Sequence, residues 1–225
     1  MSLSDEANSV DEIAASTEAL AAAARLGSPT QFFLVSKRIL DVLAALLALP
    51  FVALVALGLL LINPSWNAGP LIFAQTRMGR GCVPFRAFKF RTMRPANQVS
   101  RGPDDPLETD RITRLGQFLR RMRIDELPQF INVLLGEMSL VGPRPDYWEH
   151  ALHYAATIPG YRMRYSVRPG ITGFAQVASG YAEGADQTVA KTRYDLRYIA
   201  DAGWRMDADI LWRTVRVILT GFGAR

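Results

Sequence analysis

Residues 39–62 are apolar almost without interruption, from Ile39 to Ile62, with Asp41 as the one charged side chain. At about 1.5 Å per residue, such a run is long enough to cross the hydrocarbon core of a bilayer. A buried helix of a soluble protein explains a run of this length poorly. Lys37 and Arg38 precede it, and Arg77, Arg80, Arg86, Lys89, Arg91 and Arg94 follow it. Basic flanks stay on the cytoplasmic side, so a straight span would carry one set the wrong way. Pro50 lies mid-run, where it removes a backbone donor and can bend a helix sharply. The pattern predicts a re-entrant helix–break–helix over 31–64, entering and leaving by one face, with Asp41 pairing with Lys37 or Arg38 near the interface.

The remaining chain is long enough for one domain with its own core. Lys and Arg number 26 against 21 Asp and Glu, a net charge of +5. That surplus suggests an anionic partner: nucleic acid, a phospholipid surface or a phosphorylated substrate. The apolar run and the lack of any nucleic-acid-binding motif argue against the first. A single cysteine, Cys82, excludes an internal disulfide. The N-terminus is acidic and shows no secretory signal. Residues 1–30 are rich in Ala, Ser and acids and are expected to form a mobile tail with too few large apolar groups to dock.

The chemistry points to a seam at 120–129, Arg-Arg-Met-Arg-Ile-Asp-Glu-Leu-Pro-Gln. Ile112, Leu115, Leu119 and Met122 repeat at helical spacing before it, and Leu127, Phe130, Ile131 and Leu134 after it. Pro128 is tolerated only in a first helical turn, which places Asp125 at or beside a helix N-terminus. An N-cap is the plain reading of that placement. The neighbours favour another. A carboxylate that attacks a phosphate needs cations to hold a like-charged substrate. Arg120, Arg121 and Arg123 are adjacent, and Glu126 could help hold a divalent cation through oxygen.

Other segments carry arginines on short, stiff connections. Residues 71–75 and 85–93 read as strands, the second alternating apolar and basic residues as a strand with one wet face would. Arg86, Lys89 and Arg91 there suit either solvent or phosphate. Residues 94–110 read as a loop covering the substrate. Arg144 is held between prolines in Gly142-Pro143-Arg144-Pro145, and Arg168 lies in a second turn, Val167-Arg168-Pro169-Gly170. Tyr147, Trp148, Tyr154, Tyr161 and Tyr165 suit a headgroup layer or ordinary core packing. His150 and His153 have no further ligands of zinc type nearby. Residues 194–199 look helical, and 207–219 form an amphipathic helix for a membrane surface or a core.

Together Arg123-Ile124-Asp125-Glu126-Leu127-Pro128-Gln129, Lys89-Phe90-Arg91-Thr92-Met93, Gly142-Pro143-Arg144-Pro145 and Val167-Arg168-Pro169-Gly170-Ile171-Thr172-Gly173 resemble the bacterial monotopic phosphoglycosyl transferases, over about residues 34–225. The resemblance implies an α+β fold: the re-entrant helix plus a mostly helical catalytic domain over 65–225, with a small β element and interfacial amphipathic helices. It implies transfer of a sugar 1-phosphate from a UDP-sugar to polyprenyl phosphate at the cytoplasmic face of the bacterial inner membrane. Asp125 is the expected nucleophile, Asp125 and Glu126 the expected Mg²⁺ ligands, and Lys89, Arg91, Arg123, Arg144 and Arg168 the expected anion clamps. Residues 194–219 tilt the sugar towards glucose or galactose, with an acetamido sugar as the alternative and a non-catalytic membrane-surface module as the rival. Expected partners are the UDP-sugar, polyprenyl phosphate, membrane lipids and, as an open alternative, a second copy of the chain. Leu49 stands before Pro50 where several relatives carry Ser.

Overall fold

The computed structural model describes Thr17 and residues 19–24, 29–67, 69–95, 102, 105, 108–179 and 185–220. It is helix-rich with two small two-stranded sheets, an α+β arrangement. Most of the expected loop over 94–110 lies outside the described residues.

One helix, α1 (Gln31–Trp66), contains the whole apolar run. Thr30 caps it, its hydroxyl accepting from Phe33 N. By length and composition it could cross a membrane. Its helical run is continuous through Pro50, so the two expected helical segments form one element, and Pro50 costs a hydrogen bond without ending it. It ends at Trp66, two residues beyond the expected boundary at 64.

One stripe of α1 faces the rest of the molecule along its whole length. Phe33 stacks edge-on against Trp204 near the start. Asp41, Ala45, Val52, Leu59 and Asn63 are buried in succession, at the spacing of one helical face. Pro50 is exposed on the other side. Asp41 does not pair with Lys37 or Arg38 as expected. Its Oδ1 accepts from Leu140 N at 3.0 Å, while Lys37 Nζ reaches Asp207 Oδ2 at 2.5 Å. At the far end Asn63 donates to Gly69 O, and Asn67 Nδ2 to Arg91 O. The outward face is apolar and bare: Leu47 is 82% exposed, Leu54 66% and Leu61 77%. Apolar surface this extensive suits a membrane or a partner better than water.

Strands β1 (Ile72–Met78) and β2 (Pro84–Phe90) form an antiparallel hairpin, with Phe73 opposite Lys89 and Gln75 opposite Ala87. The inner face of β2 carries Phe85 and Ala87, which pack on Ala45 and Val133. Lys89 is two residues on and shares that face. The expected wet face therefore holds for Arg86 and not for Lys89. Helix α2 (Arg114–Arg121), a 3₁₀ turn (Ile124–Glu126) and α3 (Gln129–Leu135) follow. Leu119, Leu127 and Phe130 join Val52, Leu59 and Phe90 in one apolar cluster. Burying each large side chain there stabilises the fold by about 1.5–3 kcal/mol.

Strands β3 (Ser139–Val141) and β4 (Gly170–Thr172) pair in parallel. Beyond them the backbones of 142 and 170–173 approach so closely that a Cβ at Gly170 would lie 2.2 Å from Gly142 N. Only glycine permits this contact, which fixes the Gly142-Pro143-Arg144-Pro145 turn. Helices α4 (Trp148–Thr157), α5 (Phe174–Ser179), α6 (Ala185–Ala200) and α7 (Trp204–Thr220) complete the described residues, with a 3₁₀ segment at Tyr161–Ser166. Tyr154, Tyr161 and Tyr165 are core residues rather than headgroup contacts. The N-terminal segment departs from expectation. Thr17 and 19–24 are helical, and Ala21 and Ala24 are buried against Leu196 and Ile199. Alanines dock here because their small size allows close approach. Residues 1–16 lie outside the described residues.

Candidate active site

Asp125 and Glu126 occupy the 3₁₀ turn that joins α2 to α3, and both are buried. Arg123 starts the turn in the left-handed conformation, φ 57°, which costs a non-glycine residue on the order of 1–3 kcal/mol. That reversal turns the two carboxylates inward together. Asp125 is not an N-cap. Pro128 holds that position, and the Asp125 carboxylate accepts no hydrogen bond among the described residues.

Two cations grip the second carboxylate. Lys89 Nζ is 2.9 Å from Glu126 Oε1 and 3.8 Å from Asp125 Oδ2. Arg144 donates to both Glu126 oxygens, to Oε2 at 3.1 Å through Nη1 and to Oε1 through Nη2. This two-pronged geometry is the strong form of a charge-assisted bond. Burial alone would raise both acids. For Glu126 the nearby Arg144 and Lys89 outweigh burial and hold it well below the usual carboxylate range. For Asp125 burial prevails, with the Glu126 charge adding to it, and its carboxyl is pushed up despite Lys89, Arg144 and Arg120. Adjacent acids are thus driven apart: one is a fixed anion, and the other is a desolvated carboxylate with lone pairs to spare.

Three supports hold this arrangement. Asn132, fully buried in α3, accepts from Phe88 N at 2.9 Å and donates to Arg86 O at 2.8 Å, pinning β2 so that Lys89 meets the pair. Arg164 donates to Arg144 O at 3.0 Å. Arg164 is itself locked between Asp146 and Asp195, at 2.5 and 2.7 Å. Lys191 and the Tyr161 hydroxyl complete the grip on Asp146. The sequence reading missed all of these. Buried Asn, Asp and Arg leave no periodic trace, and their partners lie far along the chain.

Of the expected clamps, Lys89, Arg123 and Arg144 come together at the pair. Arg123 and Glu126 line a cavity of about 80 Å³, walled by Phe130, Gln176, Thr214 and Val217. Arg91 and Arg168 are not brought there. Arg91 donates to Pro70 O at 2.7 Å and to Asn67 O, tying down the end of α1. Arg168 donates through Nε to Gly136 O at 2.9 Å, at the opposite end of α3. Among the described residues no group of three or more His, Cys, Asp or Glu is placed to hold a metal. A metal held here would share its oxygen ligands with a substrate and water, as Mg²⁺ commonly does. Asp125 suits that use better than Glu126, whose oxygens already face Arg144 and Lys89.

Fold and site together define a class: a helix-rich domain docked along one long apolar helix, with an acid pair inside a basic cradle. The model of the bacterial sugar transferase family matches residues 32–221, and the chain belongs to that family. It is 43% identical over 204 residues to a UDP-N-acetylgalactosamine-undecaprenyl-phosphate N-acetylgalactosaminephosphotransferase of Aeromonas hydrophila, covering 89% of this chain and 48% of that protein. It is 44% identical over 195 residues to a UDP-glucose:undecaprenyl-phosphate glucose-1-phosphate transferase of Caulobacter vibrioides, covering 82% of this chain and 70% of that protein. It is 39% identical to the exopolysaccharide production protein PSS of Rhizobium leguminosarum, covering 83% of this chain and 96% of that protein.

Proposed function

We propose that this chain transfers a sugar 1-phosphate from a UDP-sugar to undecaprenyl phosphate and releases UMP. The observation that carries the reading is the split between the two acids: Glu126 clamped by Lys89 and Arg144, Asp125 buried beside it without a hydrogen bond among the described residues. A carboxylate stripped of water and held next to cations is suited to attack phosphorus. Asp125 Oδ forms a bond to the β-phosphorus, and the bond from that phosphorus to the bridging oxygen breaks. UMP leaves with that oxygen. An oxygen of undecaprenyl phosphate then bonds to the same phosphorus, the Asp125–phosphorus bond breaks, and the carboxylate is regenerated. Lys89, Arg144 and Arg123 offset the charge that builds on the phosphoryl oxygens. Asp125 and Glu126 would hold Mg²⁺, which when bound neutralises diphosphate charge.

The relatives act on both glucose and N-acetylgalactosamine by name, so similarity does not choose the sugar. We keep glucose or galactose as the donor sugar, from the C-terminal segment, with an acetamido sugar as the alternative. The bare face of α1 sits in the cytoplasmic leaflet of the inner membrane. Both halves of α1 are tied to the same body, through Asp41 before Pro50 and Asn63 after it. A helix held at both ends in this way supports the re-entrant path, bent around Pro50 with its convex side to lipid.

Protein incubated with UDP-glucose or UDP-galactose alone, read by intact mass, is expected to gain one hexose phosphate and release one UMP. EDTA is expected to prevent both. UDP as the product would mean direct glycosyl transfer and overturn the reading. Cysteine reporters at positions 30 and 65 are expected to label from the same side of the membrane, and labelling from opposite sides would overturn the re-entrant path.

A further inference from the structure

Arg38 and Arg168, which donate to carbonyls at the C-terminal end of α3, also line a larger cavity, of about 420 Å³, which the reaction above does not use. Lys37, Arg38, Arg80 and Arg168 line it, with Asp41 as its one acid. Three of the cations are partly engaged. Lys37 pairs with Asp207. Arg38 donates to Val133 O and to Leu134 O at 3.1 Å. Arg168 uses only Nε, so its two Nη groups make no hydrogen bond among the described residues. Arg80 has neither an ion pair nor a hydrogen bond there. The Ser139 hydroxyl also lines the cavity, buried and without a partner.

Clustered positive charge facing a buried hydroxyl is costly unless an anion completes it. Burial, with Arg38 and Arg80 close by, pushes the Arg168 guanidinium below its ordinary value, a sign that its charge is under-compensated. The opposite walls are apolar: Phe33, Val141, Met163 and Val167. The cavity lies at the start of α1, where Phe32, Val35 and Ile39 present apolar surface. A ligand that satisfies both walls has a phosphate at one end and hydrocarbon at the other.

We infer that this cavity binds the headgroup phosphate of an anionic phospholipid, held by Arg80, the free Nη groups of Arg168 and the Ser139 hydroxyl, with its acyl chains along the outer face of α1. The site lies beyond the reacting pair, at the other end of α3, and rests on the membrane reading of α1. It would anchor the mouth of the helix at the depth of the headgroups.

The test uses the full chain in neutral detergent, with dioctanoyl phosphatidylglycerol as probe and native mass spectrometry as readout. One lipid per chain is expected. Dioctanoyl phosphatidylcholine and inorganic phosphate are each expected to bind at least tenfold more weakly. Arg168→Ala is expected to weaken binding of the probe about tenfold. Because that change also removes a contact to Gly136, Arg80→Glu on an exposed side chain serves as the second variant, expected to weaken binding tenfold or more with an unchanged thermal midpoint. Equal binding of phosphatidylcholine overturns the inference, as does inorganic phosphate matching the lipid or an Arg80→Glu variant with wild-type affinity. Formation of the hexose-phosphate adduct is read separately, so failure here leaves the assignment of Asp125 standing.

Discussion

The two ends of α3 hold opposite charges and solve opposite problems. At its N-terminal side two buried acids meet Lys89 and Arg144, and one acid is left without a hydrogen bond among the described residues. At its C-terminal side Arg38 and Arg168 donate to the Val133, Leu134 and Gly136 carbonyls that close the helix. Both arrangements agree with the helix dipole. They differ in what is left over. The C-terminal arginines use part of their capacity to finish a fold, whereas Asp125 is held short of satisfaction. A group kept in that state costs stability and is retained where reactivity needs it.

Replacing Asp125 breaks this contrast most severely. Asp125→Asn is expected to reduce UMP release about 10⁴-fold or more, the scale of removing a nucleophile, and to abolish the mass adduct. Residual adduct at wild-type level would mean another group attacks. The same variant is expected to be more stable. The folded pKa of Asp125 is raised, so above its unfolded value the ionised group opposes folding. Asp125→Asn should therefore raise the thermal midpoint at pH 7, by about 2–4 °C for each 1 kcal/mol recovered. The gain should fade as the pH falls through the raised folded pKa and be gone below the ordinary Asp value.

Arg144→Ala comes next. It leaves Glu126 with Lys89 alone and is expected to lower UMP release by about 10²–10³-fold. Lysine at this position should recover little, because it cannot span both carboxylate oxygens. The pH profile sharpens the point. Arg144 lowers the Asp125 pKa, so its loss should move the acid limb of kcat/KM to higher pH. An unmoved limb would show that Asp125 is not the group titrating.

At the other end of α3 the expected change is smallest. Arg38→Ala removes two hydrogen bonds to carbonyls, each worth about 1.5–3 kcal/mol when the donor is charged. It is expected to lower the thermal midpoint while the adduct still forms from donor alone. An adduct lost at full stability would erase the distinction between the two ends.

Asp125, Glu126 and Arg144 were legible because each sits in a short run dense with charge, proline and glycine. Lys89 was legible from its motif only. Its strand pattern reads Arg86, Lys89 and Arg91 alike, yet Arg86 faces out, Lys89 meets the acids and Arg91 ties down α1. Strand alternation assigns a side without assigning what lies opposite. Arg168 illustrates the same limit, since a stiff turn announces that an arginine is presented and not to which end of a neighbouring helix. The docked alanines at 21 and 24 escaped notice because burial there depends on how closely two helices approach.

Local order along the chain was enough to specify a helical apolar run of membrane length, a helix–turn–helix seam carrying two acids, and rigid turns bearing single arginines, though not that the apolar run forms one continuous helix. Those features follow from periodicity, proline geometry and charge within a few residues. Which acid is clamped and which is left unsatisfied needed closure of contacts between segments tens of residues apart. Lys89 and Arg144 reach Glu126 across 37 and 18 residues, and burial, which sets the two acids apart, exists only once those segments have met.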